Sequence, residues 1–363
     1  MASVSVDRVW KYYGSTAAVK ELALEVADGE FVAVLGPSGC GKSSTLRMLA
    51  GLEHISAGEI RFGTKRVNDL PPRDRDIAMV FENYALYPHK TVFDNMANPL
   101  KLRGVERSVI EDRVKKAAAI LEIGHLLQRR PGELSGGQKQ RTAIGRAIVR
   151  EPALFLFDEP IAHLDAKLRA HMRGELKLMQ RRLGTTMIYV THDQMEALSM
   201  ADRIAVMNDG VLQQVGTPQQ IYNHPVNAWV AGFVGEPPIN FLDGRLTESD
   251  GRLHFEHATF RLQLLPEQEA IMRAGYRGDL VRMGVRPDQV AITTQPRPDA
   301  FEGRILVTEP IGGDMLVDVS LGGDKVLVKT RPDFEGAMDQ PCYLTLDRGR
   351  WHLFGNDDGV ALF

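Results

Sequence analysis

Up to about Gly235, short unbroken apolar runs alternate with longer stretches whose apolar positions repeat at helical spacing. Phe31 to Leu35, Ala153 to Phe157 and Met187 to Val190 are runs of strand length with no polar alternation, the pattern of strands buried on both faces. Strand and helix signals in turn predict a largely parallel sheet covered by helices. Between Pro88 and Arg150 the strand runs stop, and Ser108 to Leu121 carries Val109, Val114, Ala117, Ala118 and Leu121 at helical spacing. A helical subdomain, about 88–150, is therefore expected as an insertion in the α/β core. After Gly235 the texture changes again. Glu236-Pro237-Pro238 reads as a linker, and Asp250-Gly251, Gly312-Gly313-Asp314 and Gly322-Gly323-Asp324 read as turns between short strands. Met315, Val317 and Val319 alternate with Leu316, Asp318 and Ser320, and Val326 to Lys329 is placed to return as the second strand of a hairpin. The expected division is an α/β domain over 1–235 and a small all-β, barrel-like domain over 236–363.

Length agrees with that division, since 363 residues exceed one ordinary core and point to two domains or three. Charge narrows the partners. Lys plus Arg 44 against Asp plus Glu 47, net −3, leaves no basic surplus to neutralise a phosphate backbone, so no nucleic acid is expected as a main partner. The two cysteines, Cys40 and Cys342, suggest no disulfide framework and fit a reducing cytoplasm. No apolar run approaches the roughly 18 residues of a membrane span, and no basic-then-apolar leader follows Met1. Any membrane role is expected to be borrowed from a partner.

Candidate chemistry begins directly after the first buried strand. Gly36-Pro37-Ser38-Gly39-Cys40-Gly41-Lys42-Ser43, followed by Ser44, matches G-x-x-x-x-G-K-S. Glycines allow the backbone to curl with successive N–H groups turned inward, where side chains would block an anion. Lys42 adds a point charge for the β- and γ-phosphates, Ser43 offers a hydroxyl to Mg²⁺, and a helix beginning near Lys42 aims its positive end at the same site. The ligand is therefore expected to be a nucleoside triphosphate. A second apolar strand, Leu154 to Phe157, ends in Asp158-Glu159, which sets two carboxylates at the carboxyl end of the sheet. Asp158 is placed to hold Mg²⁺ through water and Glu159 to polarise the attacking water.

Leu134-Ser135-Gly136-Gly137-Gln138-Lys139-Gln140-Arg141 precedes a helical stretch and reads as a second anion-binding helix start, one more than a single nucleotide needs. Leu-Ser-Gly-Gly-Gln resembles the signature of the ATP-binding cassette ATPases, a P-loop NTPase family. The resemblance implies a homodimer in which Ser135, Gly136, Gly137 and Gln138 of one chain cover the ATP held by Gly36 to Ser43 of the other. It further implies that Tyr13 stacks on adenine, that His163, Leu164 and Asp165 form the loop linking the two sites, and that His192 is the switch histidine. Phe81-Glu82-Asn83-Tyr84-Ala85-Leu86-Tyr87-Pro88-His89 is similar to the segment by which carbohydrate-importer ATPases contact their membrane partners. Gly232-Phe233-Val234-Gly235, Asn240-Phe241-Leu242 and Gly284-Val285-Arg286-Pro287 resemble the junction and OB-like barrel domain of the same importers. The likeness implies an ATPase subunit on the cytoplasmic face of the membrane, using ATP and Mg²⁺ to import a sugar, polyol or related organic solute. Two transmembrane permease subunits would be contacted near Glu82 to His89, an external solute-binding protein would act indirectly, and a regulatory protein would find a place on the C-terminal domain. Importers of polyamines, ferric iron or molybdate share much of the pattern. The alternative of another class is a soluble cassette ATPase acting on ribosomes, DNA or iron-sulfur assembly.

Two departures stand out. Glu82 occupies the place of the family's Gln, and with it the Mg²⁺-facing position among the candidate metal ligands Ser43, Glu82 and Asp158. A carboxylate binds Mg²⁺ more strongly than an amide, yet it brings negative charge close to the γ-phosphate. Either the exchange is tolerated with ordinary turnover, or it slows or re-couples the ATPase. Ile161-Ala162-His163 stands where Leu-Ser-Asn is usual, so His163 either replaces an amide hydrogen bond or acts as a pH-responsive contact. An unchanged pH–rate profile in His163→Asn would remove the second role. For Glu82→Gln in the assembled transporter the expected outcome is an unchanged ATPase rate and unchanged coupling; a rise in either would assign the carboxylate a braking role.

Overall fold

The computed structural model describes every residue except Met1, Glu82, Asn83 and Arg277. The chain folds as two compact units, Met1–Gln219 and Gln220–Phe363.

The first unit is organised on a six-stranded sheet ordered Val211–Gly216, Arg203–Asn208, Phe31–Leu35, Thr186–Thr191, Leu154–Asp158 and Ile77–Val80. Neighbours pair in parallel except the edge strand Val211–Gly216, which runs antiparallel to Arg203–Asn208. All five residues of Phe31–Leu35 are buried, as its unbroken apolar run requires. A separate four-stranded sheet, absent from the sequence expectation, contains Val4–Tyr13, Thr16–Val26, Ala57–Phe62 and Lys65–Arg66, all antiparallel. Its cause is local. Only Gly14 and Ser15 separate the first two strands, too short a link for a parallel crossover, so a hairpin is the available pairing.

The helix Lys42–Ala50 buries Leu46, Met48, Leu49 and Ala50 in a core built from both sheets, including Val6, Val32 and Leu156. Its C-terminal carbonyls are satisfied by Arg75. That buried guanidinium donates to Met48 O at 2.7 Å, Leu49 O at 2.9 Å, Leu70 O at 2.8 Å and Asn68 O at 3.2 Å. A cation at this end complements the helix dipole.

Between Ile77–Val80 and Leu154–Asp158 the described residues form only helices and turns, with the α-helices Val92–Lys101, Arg107–Ile120 and Gly136–Ile148. This is the expected insertion, with one correction. Val109 is 39% exposed, and the buried face of Arg107–Ile120 runs through Ile110, Val114, Ala117 and Ala118. Ile110 stands four residues before Val114 and seven before Ala117, so it, not Val109, completes the stripe.

The second unit contains two five-stranded antiparallel sheets that share one apolar core. The hairpin expected near its end is present: Met315–Leu321 pairs with Asp324–Thr330, and Gly322 and Gly323 turn between them at φ 62° and 103°. Two left-handed residues in a two-residue loop suit the twist of the flanking strands. Val317, Val319 and Leu321 face the core. The division at Gln219 and Gln220 falls upstream of the Glu236-Pro237-Pro238 linker expected from sequence. Arg286 explains why. Fully buried, its guanidinium donates to the carbonyls of Tyr222, Ala231 and Val234 and lies 4.2 Å over the Tyr222 ring, tying residues 222–234 to the β-sheets.

Replacing Arg286 by Met removes the guanidinium donors from those three carbonyls. At roughly 1 kcal/mol or more each, the second unit should lose about 3 kcal/mol. Hydrogen exchange of peptides from residues 220–363 measures this, with peptides from 31–216 unchanged as the internal control. A loss below about 0.5 kcal/mol would remove Arg286 as the tie.

Candidate functional site

The strand Phe31–Leu35 delivers the chain to Gly36, where a Cβ would stand 2.3 Å from Met207 O and 2.6 Å from Cys40 Sγ, so only glycine fits. Gly39 and Gly41 turn the backbone through φ 81° and 101°, and the helix starts at Lys42. Pro37, Ser38 and Gly39 form the outward tip of the loop, while Gly36, Cys40, Gly41 and Lys42 are buried. Lys42 Nζ donates to Gly36 O at 2.8 Å and Pro37 O at 2.9 Å and stands 4.0 Å from Cys40 Sγ. The loop is braced from outside as well, since Gly210 N donates to Cys40 O at 3.1 Å.

Strand register assembles the rest. Leu35 is level with Thr191, and Asp158 with Val190, so Gly36, Glu159 and His192 leave the sheet at one edge. Ser43 Oγ donates to Asp158 Oδ1 at 3.5 Å. Glu159 adopts φ 45°, a left-handed conformation that strains a residue with a Cβ, and its N–H is held by Val190 O at 3.0 Å. Its Oε2 lies 2.7 Å from His192 Nδ1. Beneath His192, buried Glu196 accepts from Tyr189 OH at 2.8 Å and Thr191 Oγ1 at 2.7 Å, and burial pushes its carboxyl above the ordinary range. Thr191 Oγ1 in turn accepts from Asp193 N at 3.0 Å, so this network fixes the turn that carries His192. Sequence reasoning missed Glu196, although Asp193-x-x-Glu196 is a helix-start pattern that could have drawn attention to it.

Tyr13 is 46% exposed, with its hydroxyl 3.3 Å from Ser44 Oγ and donated to Glu53. Lys11 Nζ lies 4.8 Å over the Tyr13 ring and 3.2 Å from Glu53, which also pairs with Arg47 at 3.6 Å. Burial alone would raise the Glu53 carboxyl, but hydrogen bonds from Tyr13 and Lys11 hold it below its ordinary value. Glu53 thus anchors the aromatic, a partner forty positions away that no local pattern announces.

Ser135 caps the helix Gly136–Ile148. Its Oγ accepts from Gln138 N at 3.4 Å, and Ser135 N donates to Gln138 Oε1 at 3.0 Å. A Cβ on Gly136 would meet Leu164 Cδ2 at 3.1 Å, and one on Gly137 would meet Leu168 at the same distance. The helix Ala166–Leu183 begins beside them, capped by Asp165, whose Oδ1 accepts from Leu168 N at 3.0 Å. Exposed His163 and buried Leu164 precede that cap. Two groups result: Gly36 to Ser44 with Tyr13, Asp158, Glu159 and His192, and Ser135 to Gln138 with Leu164 and Asp165. Among the described residues no hydrogen bond or ion pair joins Ser135 to Gln138 with Gly36 to Ser43. Glu82 lies outside the described residues.

A strand, a glycine-curled loop with a buried lysine, a following helix and an acidic neighbouring strand end define a P-loop nucleoside triphosphatase. Residues 19–162 match the ABC transporter family, 235–290 the MalK OB fold domain and 283–354 the TOBE domain. The trehalose/maltose import ATP-binding protein MalK of Thermococcus litoralis is 50% identical, covering 100% of both chains. The sn-glycerol-3-phosphate import ATP-binding protein UgpC of Pectobacterium atrosepticum is 47% identical over 100% of both chains. The sulfoquinovosyl glycerol transport ATP-binding protein SmoE of Agrobacterium fabrum is 47% identical over 98% of both. The solved dimeric cassette MJ0796, in a post-hydrolysis state bound to ADP and Pi, superposes with a TM-score of 0.53 at 30% identity, covering 59% of this chain and 98% of that one. The chain belongs to the ATP-binding cassette transporter family, as an ATP-binding and ATP-hydrolysing subunit with a C-terminal OB-fold and TOBE region.

Burial raises the thiols of both Cys40 and Cys342, the latter to about 11. Native protein should therefore react with maleimide far more slowly than unfolded protein, by roughly tenfold per unit of raised pKa. ATP should slow labelling of Cys40 further, and labelled protein should no longer bind ATP. Peptide mapping by mass spectrometry distinguishes the two thiols; fast, ATP-indifferent labelling of Cys40 would contradict the loop geometry.

Proposed function

We propose that this chain energises import of a sugar, polyol or related organic solute, as the peripheral ATPase on the cytoplasmic face of the membrane. The carrying observation is full-length similarity to proteins named for trehalose/maltose and sn-glycerol-3-phosphate import, joined to a complete phosphate loop. No helix among the described residues is long and apolar enough to cross a membrane, so force must pass to permease subunits. The segment Glu82 to His89 is the contact for two of them; an external solute-binding protein delivers the solute, and the C-terminal region is open to a regulatory protein.

Two copies act together, each closing Ser135 to Gln138 over the ATP bound by Gly36 to Ser44 of the other, with His163, Leu164 and Asp165 at the seam. Tyr13 stacks on adenine. The loop amides and Lys42 bind the phosphates, and closure results because the γ-phosphate offers contacts that exist only in the shut dimer. Ser43 and Asp158 present two hard oxygen donors 3.5 Å apart beside the loop, a fit for Mg²⁺, which takes few protein ligands and completes its shell with phosphate and water. Glu82 is the third candidate ligand. When bound, Mg²⁺ would neutralise charge on the β- and γ-phosphates. Glu159 polarises the attacking water and takes its proton, while the 2.7 Å contact with His192 orients the carboxylate.

Glu159→Gln should lower kcat about 10²–10⁴-fold while leaving ATP binding and ATP-driven dimerisation intact. Single-turnover hydrolysis and light scattering measure the two; brisk hydrolysis in this variant would reassign the base.

A further inference from the structure

The Tyr13 hydroxyl joins two parts of the first unit that the chain builds separately. Its ring ends the strand Val4–Tyr13 of the antiparallel sheet, whereas Ser44 and Arg47 belong to the helix Lys42–Ala50 that follows the phosphate loop. Glu53 stands just beyond the left-handed cap of that helix at Gly51 and is engaged from both sides. Tyr13 OH donates to it, Lys11 lies 3.2 Å away and Arg47 3.6 Å away. A phenol has one proton to give. Since Glu53 receives it, Ser44 is the donor in the 3.3 Å contact between Ser44 Oγ and Tyr13 OH. The result is a relay from Ser44 through Tyr13 to Glu53 that begins at the end of the phosphate loop.

The far end of the relay is firmly set. The Lys11 and Glu53 side chains are only 12% and 18% exposed, and Lys11 Nζ also donates to His54 O at 2.8 Å. Backbone groups sew the same segment to the strand, with Ser56 N donating to Trp10 O at 2.7 Å and Tyr12 N to Ser56 Oγ at 3.0 Å. Glu53 is thus in place before any ligand arrives, and so is the hydroxyl it receives. We propose that Glu53 is a positioning residue for the base: it holds the Tyr13 ring at a set distance from the phosphate loop, so that ring and loop grip one nucleotide together. The inference rests on Tyr13 as the adenine platform and Gly36 to Ser43 as the phosphate site, and adds the group that fixes their separation. A ring already fixed gives up no rotamer freedom on binding, which is worth about three- to tenfold in affinity.

The test is calorimetric titration of the full-length chain with ADP, which carries the base, and with inorganic tripolyphosphate, which lacks it. Glu53→Ala and Tyr13→Phe should each weaken ADP about three- to tenfold and leave tripolyphosphate unchanged, and the double variant should weaken ADP no further than either alone. Glu53→Gln keeps an acceptor for the hydroxyl and should recover most of the loss. Equal weakening of both ligands would reduce Glu53 to a brace of the loop and overturn the proposal. Losses that multiply in the double variant, an unchanged ADP affinity in Glu53→Ala, or a Glu53→Gln no better than Glu53→Ala would each overturn it too. Two further outcomes would strike the underlying reading instead: undiminished ADP affinity in Tyr13→Ala removes the stacking platform, and a parent chain that binds neither ligand removes the phosphate site.

Discussion

A buried ammonium governs the architecture of the first unit. Lys42 is 5% exposed, and removing a charge from water is costly unless other groups meet it. Here the carbonyls of Gly36 and Pro37 meet two of its donors, and that closes the loop on itself. Such closure demands the glycines, because any Cβ at Gly36 would collide with Met207 O and Cys40 Sγ. The same helix ends on Arg75, whose guanidinium makes four hydrogen bonds to backbone carbonyls. The two cations sit at opposite ends of one helix: Arg75 meets four carbonyls where the helix terminates, and Lys42 meets two where it begins.

Catalytic geometry depends on register rather than on loop sequence. Because the strands Phe31–Leu35, Thr186–Thr191 and Leu154–Asp158 are parallel neighbours, their carboxyl ends share one edge, and a one-residue slip would separate Glu159 from His192. The strain stored at Glu159 and the buried Glu196 network are the local means by which that edge is held.

The phosphate loop was legible in sequence because its chemistry is local: eight consecutive residues contain both the curl and the charge. The buried strands were legible for the same reason, each being apolar throughout. Misreadings came where position depends on a neighbour. Val109 and Ile110 are adjacent and both apolar, and only the packed faces reveal which one is inside. The N-terminal antiparallel sheet was hidden because the parallel pattern of the longer region overshadowed a two-residue hairpin link. Arg286 and Glu53 were invisible as ties, since their partners lie tens of residues away and neither belongs to a spacing rule. Gln140 stood in plain view inside the signature segment, yet only burial shows that its amide is unpaired.

The edge hairpin at Asp209 and Gly210 touches the nucleotide loop through backbone, where Gly210 N reaches Cys40 O at 3.1 Å, and Lys20 N of the neighbouring strand holds Gly210 O at 2.8 Å. There is no space for a Cβ at Gly210, which would stand 2.8 Å from Ala18 O. A minimal recombinant cassette cut before this hairpin would keep every residue of the G-x-x-x-x-G-K-S motif and still lose the splint that shapes it. Motif boundaries are thus a poor guide to where such a fragment can be trimmed; the cut must fall after the edge strand that ends at Gly216.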